Sequence, residues 1–82
     1  MSNFSLDIYT PNGVLVRGHN CDSLQIPTSE GEITVLKGHT HIISKLAPGK
    51  IVAHSAAGKE TFKVSEGISK VFGSKVTIMS QS

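Results

Sequence analysis

Glu30 and Glu32, separated by Gly31, are the side chains of this 82-residue chain best spaced for acid–base chemistry. A catalytic carboxylate pair needs a pocket that holds a proton on one member near the working pH. A glycine between two glutamates marks a turn instead, where both face water. The pair reads as a solvated turn or a charged docking spot. His39 and His41 share one face of an extended strand, as do His19 and Cys21. Together they could ligate a transition metal, although zinc sites use tighter pairs such as Cys-x-x-Cys. Gly58-Lys59 invites a phosphate-loop reading, but Ala53 and Glu60 stand where that loop needs glycine and a hydroxyl. Cys21 has no neighbour that would lower its thiol pKa and reads as a small buried or edge residue.

The elements that must position these residues are strands. Phe4, Leu6 and Ile8 alternate with Ser5, Asp7 and Tyr9, a half-buried strand with one wet face. Pro11-Asn12-Gly13 ends it, and Val14-Leu15-Val16 resumes as a hairpin partner. Residues 18–22 read as polar and irregular. Ser23 to Ile26 alternates until Pro27. The runs Ile33 to Leu36 and Ile42 to Leu46 flank a Lys37-Gly38-His39-Thr40-His41 hinge, the pattern of a chain crossing between two sheets. Pro48-Gly49, Ala57-Gly58-Lys59 and Gly73-Ser74 supply further turns, and Gly67 breaks or bulges a strand. Val76 and Ile78 alternate in the last run. Turn signals recur every ~8–12 residues, and no window offers an amphipathic helix. The expected fold is all-β, a β-sandwich or flattened barrel of about ten strands, in a single domain over residues 1–82.

Composition narrows the function classes. The chain is 38% apolar and 17% charged, which is globular. A formal charge of +2, with no basic run, argues against nucleic acid and against an acidic membrane surface. Three Phe and one Tyr are too few to line a stacking groove of an oligonucleotide-binding barrel. No apolar run reaches the ~18–20 residues that cross a bilayer, so no direct membrane insertion is expected. No signal peptide is legible, so the glycosylation pattern at Asn3-Phe4-Ser5 carries no meaning. One cysteine permits no internal disulfide. Two alternatives stay open: a lipoyl- or biotinyl-like carrier with Lys59 in its hairpin, and a small metal-binding β-sandwich.

Five stretches in order resemble the amino-terminal β-sandwich domain of the epsilon subunit of rotary F-type ATP synthases. Phe4-x-Leu6-Asp7-Ile8-x-Thr10-Pro11-x-Gly13 is similar to its opening strand and turn, and Gly31-Glu32 through Gly38-His39 to its central motif. Leu46-Ala47-Pro48-Gly49 follows at the expected distance. Gly58-Lys59-Glu60-x-Phe62-x-Val64-Ser65-x-Gly67 is similar to its strand pair, and Lys75 to Met79 to its final strand. Lys37 and His41 stand where proline is usual, and Thr34 and Glu66 where glycine is. The resemblance implies a non-catalytic subunit without cofactors, sitting at the foot of the central stalk. It implies a c-ring contact through Glu30, Gly31 and Glu32 and a gamma-subunit contact through Thr10, His39 and Ser44. The catalytic head would be reached through gamma. The place implied is the cytoplasmic face of the bacterial inner membrane, as a peripheral part of the ATP synthase. The family usually continues into a two-helix carboxy-terminal domain that can brake hydrolysis, and the chain, stopping at Ser82, is expected to lack that role.

Overall fold

The computed structural model describes residues 4–36 and 41–81. Among them are nine strands and no helix: β1 Phe4–Thr10, β2 Gly13–Cys21, β3 Ser23–Thr28, β4 Gly31–Leu36, β5 Ile42–Leu46, β6 Gly49–Ser55, β7 Gly58–Val64, β8 Gly67–Phe72 and β9 Lys75–Ser80. All hydrogen-bond into one sheet in the order β2-β1-β9-β8-β5-β3-β6-β7, with β4 added to β3. Every pairing is antiparallel except that of β1 with β9.

The sheet curls because β3 changes partners along its length. Its first half pairs with β6, from Ser23↔His54 to Gln25↔Val52, and its last residue pairs with β5, Thr28↔Leu46. A strand shared between two halves is how a sheet turns a corner into a half-barrel or sandwich. The two apolar runs around the hinge part within this one sheet rather than between two sheets, and both touch β3. β4 lies on β3, while β5 pairs with β8. The hinge residues 37–40 themselves lie outside the described residues.

The core lies inside the curl and follows the period-2 alternation. Phe4, Leu6 and Ile8 meet Leu24 and Ile26, Ile51 and Ala53, Val71, and Val76 and Ile78, all buried. Each fully buried large aliphatic contributes roughly 1.5–3 kcal/mol relative to exposure. Burial of Phe62 is partial, and Phe72 is 46% exposed. Phe72 is in phase with Ile68 rather than with the core residues Ser69 and Val71, so the pleat turns it outward.

Three hairpins share one turn chemistry. Thr10↔Gly13, Thr28↔Gly31 and Ser55↔Gly58 close two-residue loops, and each hydroxyl donates to the carbonyl of its glycine. The glycines take φ of 129°, 118° and 132°, which a side chain would oppose.

The stretch 18–22 differs from expectation. Instead of an irregular loop, β2 runs on to Cys21, and its register on β1 slips between Leu6 and Ile8 and again between Ile8 and Tyr9. Two bulges absorb two extra residues of β2 and keep the ladder going. Polar composition in residues 17–20 hid the strand because its side chains are mostly exposed at the sheet's outer margin.

Candidate functional site

The Glu30–Glu32 segment is the tip of the β3–β4 hairpin. Thr28 fixes it from within: its hydroxyl donates to the Gly31 carbonyl and accepts the Glu30 backbone N–H at 3.3 Å. The turn is therefore rigid, while Glu30, Gly31 and Glu32 are all exposed. Both glutamates are exposed, whereas a carboxylate that holds a proton for catalysis is usually enclosed.

Ser44 lies in β5, and the sheet brings it beside that turn. Thr28, Ser29, Glu30, Ile43, Ser44 and Lys45 line a cleft of about 240 Å³. Thr10 lies elsewhere, at the end of β1, where its hydroxyl donates to the Gly13 carbonyl at 3.1 Å and accepts the Asn12 N–H at 3.2 Å. It borders a mostly apolar cleft of about 410 Å³ with Tyr9, Ile68 and Met79. Ser44 thus groups with Glu30, and Thr10 with an apolar patch. His39 lies outside the described residues. A furrow of about 550 Å³, walled by Lys45, Pro48, Glu66 and Ile68, adjoins both clefts through Lys45 and Ile68.

Ile68 and Met79 were not singled out in the sequence. They are direct partners across β8 and β9, each 39% exposed, and Tyr9 pairs with Met79 on the other side. The signal was there: Ile68 is out of phase with Val71, and Met79 with Val76 and Ile78, so both had to face outward.

The remaining chemistry-bearing side chains serve the fold. His19 meets Phe62 edge-on with ring centroids 5.8 Å apart, and His41 meets Phe72 in the same way at 5.0 Å. Among the described residues no three His, Cys, Asp or Glu side chains are grouped to hold a metal ion. Cys21 is buried, and burial, with the nearby Asp22 charge, pushes its thiol up to about 11. Lys59 is not at a hairpin tip, as a carrier lysine would be. It pairs with His54 inside the β6–β7 ladder, one step from the turn.

Asp7 sits on the strand face expected to be wet, yet is 5% exposed. Its carboxylate accepts the Gly18 N–H at 2.7 Å and the Tyr9 hydroxyl at 3.4 Å, and lies 3.6 Å from the Lys75 ammonium. The Gly18 hydrogen bond, foremost, and the Lys75 charge hold its pKa below the usual value, against burial.

Comparison with known proteins agrees with this architecture. Residues 3–82 match the family described as ATP synthase, Delta/Epsilon chain, beta-sandwich domain. The chain is 32% identical over 81 residues to the ATP synthase epsilon chain of Endomicrobium trichonymphae, covering 99% of this chain and 58% of that one. It is 35% identical over 81 residues to the ATP synthase epsilon chain of Staphylococcus aureus strain JH9, covering 60% of that relative. It therefore spans about three-fifths of these relatives' length. A chain in the cryo-EM structure of the Euglena gracilis mitochondrial ATP synthase, OSCP/F1/c-ring in rotational state 1, superimposes with TM-score 0.90 at 25% identity. The match covers all of this chain and 52% of that one. A chain of the Tetrahymena thermophila mitochondrial ATP synthase central stalk and c-ring has the same fold, with TM-score 0.77 at 12% identity over 96% of this chain and 63% of its own length. With the family match running over residues 3–82, the chain belongs to the β-sandwich family of ATP synthase delta and epsilon chains.

Proposed function

We propose that these residues form the stalk-foot domain of an epsilon subunit, joining the gamma subunit to the c-ring and supporting the coupling of ion flow to ATP synthesis. The observation that carries the reading is the superposition, over the whole chain, on a subunit of an assembly containing F1 and the c-ring. A body that transmits torque must be stiff and must offer two separated contact surfaces. One continuous nine-stranded sheet provides the stiffness. The rigid, exposed Glu30-Gly31-Glu32 tip suits basic loops of a c-ring. Thr10, with its neighbouring apolar cleft, suits gamma, and His39 belongs to the same reading, whereas Ser44, also assigned to gamma, lines the cleft beside Glu30 and so borders the other surface. The domain is non-catalytic, and the catalytic head is reached through gamma. It is held at the cytoplasmic face of a bacterial inner membrane as a peripheral part of the complex. Docking and coupling are assigned to these residues, and the brake on hydrolysis is not.

The test is reconstitution. Membranes stripped of their epsilon subunit receive the chain, and ATP synthesis driven by an imposed proton gradient is followed. Binding with recovery of coupled synthesis is expected. A chain that does not bind the stripped complex overturns the reading.

A further inference from the structure

Three strands have an open side among the described residues: β2 and β7, which end the strand order, and β4, which lies on β3 and pairs with no other strand. Open edges recruit strands from other chains unless something guards them. β2 is interrupted by two bulges, and just beyond its end the Asp22 N–H donates to the His54 carbonyl at 2.7 Å. β7 is guarded by charge, with Lys59, Glu60 and Lys63. β4 has neither device. Its register on β3 is unbroken from Gly31 to Leu36, and it holds no lysine and no proline. Ile33, Thr34 and Val35 are β-branched in a row, a composition that favours extended backbone. Its one charge is Glu32, beside the turn.

The direction of the β4 peptide groups follows from β3. The Ser29 N–H donates to the Lys45 carbonyl, and the Pro27 carbonyl accepts the Ala47 N–H, so these two residues direct their peptide groups toward β5. Along a strand that direction alternates from residue to residue. Thr28 and Ile26 therefore bond to the other side, where Gly31 and Ile33 are their partners in β4. By the same alternation Glu32 and Thr34 turn their N–H and C=O groups away from β3. No described residue bonds to them there, and both residues are exposed. The two sets of groups are roughly 7 Å apart, the two-residue repeat of an extended chain.

We propose that β4 takes up an extended segment of a neighbouring protein subunit as an added strand, bonded to the backbone of Glu32 and Thr34, with a basic side chain opposite Glu32. The occupant is a strand because donors and acceptors at that repeat along one edge match another extended backbone, which neither a lipid nor a nucleic acid supplies. It is not a second copy pairing through β4, because β4 has no basic residue to set against Glu32. The proposal rests on the stalk reading, and deepens it, by giving the exposed Glu30–Glu32 tip a backbone mode of docking along the strand that follows.

The experiment follows amide hydrogen exchange in the free chain and in the chain bound to ATP synthase stripped of its epsilon subunit. In the dilute free chain the Glu32 and Thr34 amides should exchange fast, while that of Ile33, bonded to β3, is slow. On binding, both should slow at least about tenfold. Affinity is compared among wild type, Thr34→Pro, Thr34→Val and Glu32→Lys. Thr34→Pro removes an outward N–H without touching the β3 ladder and should weaken binding about tenfold or more, with the free variant still folded. Thr34→Val keeps the N–H and should bind like wild type. Slow exchange of both amides in the dilute free chain would show that the chain closes its own edge, and would end the proposal. Protection that grows with concentration of the free chain would give the edge to a second copy and end it too. A chain that binds with both amides still fast, or a Thr34→Pro variant that binds like wild type while Glu32→Lys does not, would keep the stalk reading and sink this one. A wild-type chain that does not bind overturns both.

Discussion

The carboxylate of Asp7 accepts the backbone N–H of Gly18 at 2.7 Å, across the stretch where the β1–β2 ladder slips. Arg17 and Gly18 have no partner residue in β1, and Gly18 takes φ of 66°. A side chain thereby supplies the acceptor that a displaced backbone would otherwise have provided.

Asp7→Asn should therefore cost about 1–2 kcal/mol at neutral pH, since a charged acceptor is replaced by a neutral one. Because the native pKa is lowered, the Asp7 contribution is fully present well above its ordinary value of 3.8 and is lost as pH falls through the lower native value. Urea unfolding from neutral pH downward checks this. The gap between wild type and variant should stay flat to about pH 5 and narrow below it.

Gly67 opens β8 hard against β9. A Cβ built there would run into the Met79 carbonyl oxygen. Backbone cannot swing aside as a flexible side chain can, so Gly67→Ala must separate the two strands. A loss of roughly 2–4 kcal/mol is expected, read as a lower urea midpoint. A variant as stable as wild type would mean that β8 and β9 approach less closely than described.

Glu32→Lys should leave stability within about 0.5 kcal/mol, because the residue is exposed at a turn whose hydrogen bonds come from Thr28. Its reassembly with stripped ATP synthase should weaken, with the loss reported by coupled ATP synthesis. Undiminished reassembly together with undiminished synthesis would count against a docking role for this tip.

Cys21 should be chemically silent while the chain is folded. A thiol raised to about 11 and buried offers almost no thiolate at pH 8. Iodoacetamide should label it only as fast as the domain opens, and rapidly once urea unfolds it. Fast labelling of the native chain would show that the β2 end frays.

Local patterns were legible in the sequence and distant ones were not. Phe4, Leu6 and Ile8, like Val76 and Ile78, announce their strands by alternation, and the core contains all five. The all-β class and the turn at Glu30–Glu32 followed from the same kind of local signal. The burial of Asp7 did not, since it depends on Gly18, Lys75 and Tyr9 converging from three places in the chain. The shared Thr-x-x-Gly turn at Thr10 and Thr28, with Ser55 as its variant, does not stand out in the sequence, because each copy looks like an ordinary polar loop. The grouping of Ser44 with Glu30 depends on β3 reaching β5 at the single pair Thr28↔Leu46, which no spacing rule supplies.

The parallel pairing of β1 with β9 has a consequence for how the molecule comes into being. Ser5 to Tyr9 align with Lys75 to Met79, so the first and the last of these nine strands are neighbours in the middle of the order β2-β1-β9-β8. The β1–β2 hairpin can form early, but it has no seat on the rest of the sheet until β9 has left the ribosome. Closing that loop is an entropic toll met before any β1–β9 contact rewards it, which puts assembly among the slower, non-local β topologies. While synthesis is under way, the β1 edge waits unpaired, and the nascent chain is then most open to pairing with a strand from elsewhere.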